Sequence, residues 1–429
     1  MIHIRRLFAS MTVAAAVLLV SVASAQTDDS VDDSTAIAKS LATAKLTASD
    51  GVAGNALGIA VAASGDTIVL GEDCFRIGGN TDCDPNHQGV VYVFQKPKNG
   101  WGNMVQTAEL IPSDGYVGDE FGTAVAISGP IIVVGAGNGK AYVFVKPARG
   151  GWRNMTETAQ LTDGIGVDGF GLTVAIDQNT IVVGAANAAI HGNQSQGAAY
   201  VFVEPPTGWT TTAAFDAELT ASDGSFQDIF GISAAVSGNT IVVGAPFQRD
   251  QTGPGEAYVF EKPPTGWRNT TQTAILTRSN QGPYDEFGLT VAIEGATIVV
   301  GSPQAVGMNN GQGTVDVFVK PSEGWNDRTE TAELVPPALV DDFGVSVAIN
   351  GSRVVVGTFS SNNTIFVYTS PAKGGWKSTS QPNRKLTNGS DLSFFGFAVA
   401  ITSDTIVAGA PFQTVKGHVD EGAAYVVSE

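Results

Sequence analysis

The chain has 429 residues, 43% of them hydrophobic and 15% charged, with a net charge of −18 at pH 7 and two cysteines. A chain this acidic repels nucleic acid and anionic membrane surfaces, which excludes functions built on a basic patch. Only one stretch is apolar enough to compare with a bilayer span, and it lies at the start.

That stretch begins with Arg5 and Arg6, continues through MTVAAAVLLVSVASA and ends at Ala23-Ser24-Ala25. A basic start, a short apolar run and a small-residue cleavage site read as a secretory signal over residues 1–25. An uncleaved anchor is the weaker reading, because no basic stop-transfer cluster follows. Cleavage removes two arginines and no acid, so the mature charge is −18 − 2 = −20. A secreted protein, extracellular or periplasmic, with no membrane insertion after cleavage is expected. Residues 26–43 read as an acidic flexible lead-in, and the folded part as 44–429.

The folded part repeats one unit of four extended segments. It opens on an isolated fourth segment, AKLT (44–47), and a degenerate first segment, LGIAVAA (57–63). Later units begin FGTAVAI (121–127), FGLTVAI (170–176), FGISAAV (230–236), FGLTVAI (287–293), FGVSVAI (343–349) and FGFAVAI (395–401). A β-branched run such as TIVVGA (240–245) follows, then AYVF (257–260), then a fourth segment such as AILT (274–277). These short runs of Val, Ile, Tyr and Phe bounded by turn residues read as strands. Links as short as SGN or NGS between the first two make them antiparallel hairpins. Units of about 55 residues, repeated seven times, predict an all-β fold, a seven-bladed β-propeller of four-stranded antiparallel blades. The chain finishes on a third strand (424–427), so the N-terminal AKLT is predicted to complete the last blade and close the ring.

Phe-Gly followed by Gly-Ala-Pro, as at Gly244-Ala245-Pro246 and Gly409-Ala410-Pro411, resembles the FG-GAP repeat of the integrin α-subunit propeller and its microbial relatives. The resemblance covers nearly the whole mature chain. It implies Phe wedged between blades, Gly where backbones approach closely, and a ligand face formed by the fourth-to-first and second-to-third links. The D-x-D-x-D-G loops that hold calcium in integrin-type blades are absent from the first-to-second links. No cofactor is therefore expected; calcium remains possible only at a site of another kind.

On the implied ligand face, an acid stands two residues before the Phe: Asp119, Asp168, Asp228, Asp285 and Asp341, with Asn55 and Ser393 in the other units. One reading is an Asx turn, each carboxylate accepting local backbone N–H groups. The other is a ring of carboxylates around the channel that binds a cation or a basic ligand group, with Glu120, Glu286 and Asp342 adding charge beside it. The second-to-third links vary most and hold His87, His191 and His418, read as solvated loop residues rather than metal ligands. One such link holds Cys74 and Cys83, expected to form a disulfide worth about 2.7 kcal/mol of loop entropy; a metal site with His87 is the weaker alternative. The opposite face carries Trp101, Trp152, Trp209, Trp267, Trp325 and Trp376, read as clips over the blade edge rather than sugar platforms.

No metalloprotease, nucleophile-elbow, phosphate-loop or C-x-x-C motif occurs, so no enzyme is expected. The reading is a monomeric binding or adhesion module for an extracellular protein or glycan. Two alternatives stand beside it: a glycan hydrolase or lyase using channel carboxylates, and a structural cell-surface or matrix component.

Overall fold

The structure is a computed structural model that describes residues 38–72, 88–166, 169–247, 253–305, 312–337, 340–359, 363–388 and 393–428. The expected signal (1–25) and the Cys74–Cys83 pair lie outside these residues, as does Asp168.

Seven mainly antiparallel sheets follow one another around the ring, three of four strands as expected and four with a fifth strand paired in parallel at the outer edge. Blade 1 is Ala60–Ser64, Thr67–Glu72, Val90–Gln95 and Ala108–Leu110, each strand paired with the next. Blades 2 to 6 repeat the plan. Blade 7 takes Val399–Ile401, Thr405–Ala410 and Ala423–Ser428 from the C-terminal end and Ala44–Thr47 from the N-terminal end. Each first strand touches the first strands of both neighbours, and the last touches the first, so the ring is closed. The seven-bladed propeller closed by its own termini is the fold the sequence predicts.

Burial is graded outward from the axis. The first strand of blade 2 is only half-buried at Ala124, Val125 and Ala126, whereas its second strand, Ile131–Ala136, is wholly buried. The first strands form the wall of the central channel, and the second and third fill the seams between blades. Each seam has its own apolar core. The one between blades 1 and 2 packs Val69, Val91 and Leu110 against Phe121, Val134, Tyr142 and Phe144. Phe121 meets Tyr142 and Phe144 edge-on, with centroids 5.3 and 6.1 Å apart. Glycine is required where the seam is tightest. A β-carbon on Gly71 would sit 2.0 Å from the carbonyl oxygen of Gly122 in the next blade, and Gly122 itself has φ 100°. Phe-Gly and Gly-Ala-Pro are thus two sides of one close contact.

The tryptophans are clips. Trp152, Trp209, Trp267 and Trp325 are buried in four successive seams. Trp101 and Trp376 pack partly buried against two more. Two residues after each Trp, a short polar side chain caps a backbone N–H in the fourth strand of the preceding blade. Asn103 accepts from Lys45 N at 2.8 Å, Asn154 from Glu109 N at 3.0 Å, and Asp327 from Ile275 N at 2.8 Å. The link then runs parallel to that strand, as Met104–Val105 does on blade 7, Thr270–Thr271 on blade 3 and Arg328–Thr329 on blade 4.

Blade 6 is the exception, and it corrects the lead-in. Residues 26–43 were expected to be flexible throughout, yet Ala38–Leu41 pairs in parallel with Arg384–Thr387. An acidic, low-complexity lead-in hides such a strand because a backbone ladder, not an apolar pattern, holds it.

Candidate functional site

The fourth-to-first and second-to-third links share one end of the propeller, here the loop face. Each link that enters a first strand turns sharply before its Phe, or before Leu57 in blade 1, and the residue just before it is left-handed: Ala56 (φ 55°), Glu120 (53°), Gly169 (74°), Ile229 (57°), Glu286 (57°), Asp342 (51°) and Phe394 (52°). Non-glycine residues take this conformation only where the surroundings fix it.

The described aspartates, Asp119, Asp228 and Asp285, each turn back onto their own link. Asp119 accepts the N–H of Tyr116 at 2.8 Å. Asp228 is buried and accepts both the N–H (2.6 Å) and the hydroxyl (2.8 Å) of Ser225. Asp285 is buried and accepts the N–H of Gly282 at 2.8 Å. In each case the carboxylate binds three residues back within its own link. Asp341 is exposed. In blade 7 the hydroxyl of Ser393 lies 3.2 Å from Asn363 Oδ1 and accepts from Asn388 Nδ2 at 2.7 Å. Among the described residues no group of three or more His, Cys, Asp or Glu side chains is placed to hold a metal ion. His191 and His418 are both exposed, on blades 3 and 7; His418 Nδ1 lies 2.9 Å from Glu421 and 3.0 Å from the Gly51 carbonyl.

The acids that do come together stand one position later. Glu286 and Asp342 occupy the left-handed sites of neighbouring blades, both only partly exposed. Burial, with the Asp342 charge beside it, pushes the Glu286 carboxyl up to about 7. Burial and Asp341 raise Asp342 to about 6, opposed by a 2.6 Å bond from Gln304 Nε2. At blade 7 the same position holds Phe394, stacked on Phe359 with centroids 4.4 Å apart and edge-on to Phe412 at 5.1 Å. In blades 5, 6 and 7 the entry link therefore places Glu286, Asp342 and Phe394 at equivalent positions. The sequence signal for them is the position before Phe-Gly, masked by the more regular Asp one residue earlier.

Asp285 has a second role. Arg278 is buried in the link between blades 4 and 5, where its guanidinium binds Asp285 (2.7 Å), Asp316 (3.1 Å) and Glu333 (2.8 Å). Asp316 stands where blades 1, 2 and 4 carry Tyr92, Tyr142 and Tyr258, whose hydroxyls bind Asp50, Asp114 and Asp223 at 3.1 to 3.2 Å. In blade 5 an Arg–carboxylate cluster replaces that Tyr–Asp link. Burial pushes Asp316 up to about 8, against the pull of Arg278.

The exposed large apolar side chains are distributed unevenly. Among the described residues there are nine, and eight lie on the loop face: Val52, Ile111, Tyr116, Val117, Ile165, Phe226, Tyr284 and Val419. Only Val105 lies in a third-to-fourth link. Tyr116, Ile165 and Tyr284 are 75%, 74% and 58% exposed at the tips of three entry links.

A closed ring with Phe-Gly at the entry of six blades and Leu-Gly at the seventh, tight seams and varied loops on one face defines a repeat-built β-propeller scaffold. The FG-GAP repeat model matches residues 41–94, 104–144, 155–202, 214–260, 270–318 and 386–427. With more than half of its length matched, the chain belongs to the FG-GAP repeat family. The unmatched stretch 319–385 holds most of blade 6, where Gly357 is followed by Thr358-Phe359 in place of Ala-Pro and Phe366 stands in place of the third-strand Tyr. The family is typically non-enzymatic, its propellers serve in protein interactions, and its repeats are typical of extracellular proteins. No curated protein matches the chain significantly. Among solved structures the computationally designed Ika8 protein is similar over 91% of this chain and 100% of its own, with 16% identity and a TM-score of 0.49. Among the described residues no helix is long and apolar enough to cross a membrane.

Proposed function

We propose that this is an exported binding module whose loop face docks an extracellular protein. One observation carries the reading: eight of nine exposed large apolar side chains lie on that face, spread over successive entry links. Tyr and Phe are the side chains that anchor protein interfaces, because they bury much area at low entropy cost. Their spread around the ring suits a broad partner better than a single sugar. On the opposite face Val105 is the one such side chain among the described residues, and four of its tryptophans are drawn into the seams. The regular aspartates serve as turn anchors that set the entry links, and the side chains around them meet the partner.

The test is capture from an array of extracellular proteins and glycans, comparing the parent with a Tyr116→Ser, Phe226→Ser, Tyr284→Ser variant. Loss of a protein partner by at least tenfold, with the circular dichroism unchanged, is the expected result. A partner retained at full affinity, or one that is a glycan alone, removes this reading.

A second reading rests on Glu286 and Asp342, two carboxyls on adjacent blades raised to about 7 and about 6. Such a pair holds one proton near neutral pH, as a glycan hydrolase or lyase requires. It predicts polysaccharide turnover that peaks between these values and is lost in Glu286→Gln. No turnover across a polysaccharide panel at pH 5 to 8 eliminates it.

A further inference from the structure

We propose that the face opposite the loops carries a cationic arc, across blades 6, 7, 1 and 2, that binds an acidic polysaccharide. A net charge of −18 argues against a basic patch only where charge is spread evenly, and the fold sorts it. Consider the first-to-second and third-to-fourth links on the opposite face, with the strand ends that border them. In blades 6, 7, 1 and 2 they hold nine Lys and Arg against three acids among the described residues, Asp66, Glu157 and Asp404. In blades 3, 4 and 5 the balance is reversed, with four Lys and Arg against eight Asp and Glu.

The cations are joined across the seams, so the arc is continuous. Arg353 of blade 6 donates from Nη2 to the carbonyls of Thr402 (3.0 Å) and Ser403 (2.8 Å) in blade 7. Lys96 of blade 1 reaches Asp404 of blade 7 at 2.6 Å, and Lys146 of blade 2 reaches Gln95 Oε1 of blade 1 at 3.3 Å. Beside these, Lys98, Arg149, Arg153, Lys373 and Lys377 are exposed and make no ion pair among the described residues. Strands such as Ile131–Ala136, six residues long, set the acidic loop face about 20 Å away. That exceeds the screening length of about 8 Å at physiological ionic strength, so a ligand at the arc meets mainly local charge. Guanidinium and ammonium groups on separate links suit carboxylates or sulfates spaced along a chain. A bilayer calls for inserted apolar side chains, and nucleic acid bases for exposed aromatic rings. Val105 is the one exposed large apolar side chain on this face among the described residues, and the tryptophans of the arc pack into the seams. A hydrated polysaccharide needs neither.

The experiment measures binding of the full chain to immobilised alginate and dextran sulfate, with uncharged dextran beside them, at about 50 mM and about 300 mM salt. Saturable binding to an acidic polysaccharide, at least tenfold weaker at the higher salt and absent on dextran, is the expected result. Arg149→Gln, Arg153→Gln and Lys373→Gln together should weaken it at least tenfold. Lys262→Gln, Arg268→Gln and Lys416→Gln, which change the net charge equally outside the arc, should leave it within twofold. Circular dichroism checks that each variant is folded. The Tyr116→Ser, Phe226→Ser, Tyr284→Ser variant should bind as the parent does, which separates the arc from whatever the loop face docks. No binding at the lower salt, or equal weakening by both charge variants, overturns the inference. So does tighter binding to vesicles of an anionic phospholipid or to single-stranded DNA than to either polysaccharide.

Discussion

Glu286 and Asp342 show how one torsion sorts acids by role. Both stand in left-handed backbone just before a Phe, and Asp342 accepts from Gln304 of the preceding blade. The folded-state pKa of Glu286, about 7 against an ordinary 4.5, means that the folded chain keeps a proton the unfolded chain releases. Its contribution to stability is complete below about pH 4.5 and is lost as the pH rises through 7. At about 1.4 kcal/mol per unit the loss is on the order of 3 kcal/mol. Glu286→Gln is therefore expected to stabilise the chain at pH 8 and to leave it unchanged at pH 4.5, as read from urea melts; an equal difference at both values would sink the account. Arg278 gives a second case. Arg278→Met strands Asp285 and Asp316 in the interior and is expected to cost about 3–5 kcal/mol. Adding Asp316→Tyr restores the residue of blades 1, 2 and 4 and should recover most of that loss. A double variant no more stable than the single one would show that Arg278 is not compensating for the missing Tyr.

At the scale of the element, the outer edge of each blade is finished by the next one. The Trp clips the seam, the residue two places on caps the fourth strand, and the link then pairs alongside it. Asp327→Ala removes the acceptor of the Ile275 N–H and is expected to cost about 1 kcal/mol. Trp267→Ala, which empties a buried position in the seam between blades 3 and 4, is expected to cost about 3–5 kcal/mol. If the two losses prove equal in thermal melts, the seam contributes no more than the cap and this ranking fails. The same elements show what was legible in the sequence. The blade strands were, because Val, Ile, Tyr and Phe runs such as TIVVGA repeat at a fixed spacing between turn residues. The parallel segments were not, since two residues such as Met104-Val105 carry no period and are held by neighbours distant in sequence. The caps carry no single sequence signature, because Asn103, Asn154, Thr211, Asn269, Asp327 and Ser378 each accept a fourth-strand N–H with four residue types among them. On the loop face the recurring Asp reads as a candidate ring by its regularity, whereas Asp119, Asp228 and Asp285 each anchor a turn of their own entry link. The side chains that vary beside it are the ones left facing outward.

For the molecule as a whole, stability is held in seven seams joined head to tail, each contacting only its neighbours. An open array of such units frays from its ends, whereas a ring has none, provided that its closing strand holds. Leu46 in that strand is as buried as Leu110, Leu161, Leu219, Leu276, Leu334 and Leu386 at the same position in the other blades, all at 0% exposure. Local packing thus treats the closure as one more fourth strand, although Ala44 pairs with Val426 across nearly the entire length of the chain. Two consequences follow for Leu46→Ala. The local loss should match that of Leu219→Ala, about 2–5 kcal/mol. Because opening blade 7 gives both flanking seams a free end, the loss should also lower the unfolding midpoint of the entire propeller within one transition. The check is urea unfolding of both variants, followed by near-ultraviolet circular dichroism for the tryptophan seams and by far-ultraviolet circular dichroism for the sheets. Coincident curves would place the closing strand within a single cooperative ring. A separate early transition in the Leu46→Ala variant alone would show blade 7 melting by itself, and closure would then be a local latch rather than the element on which the other six seams depend.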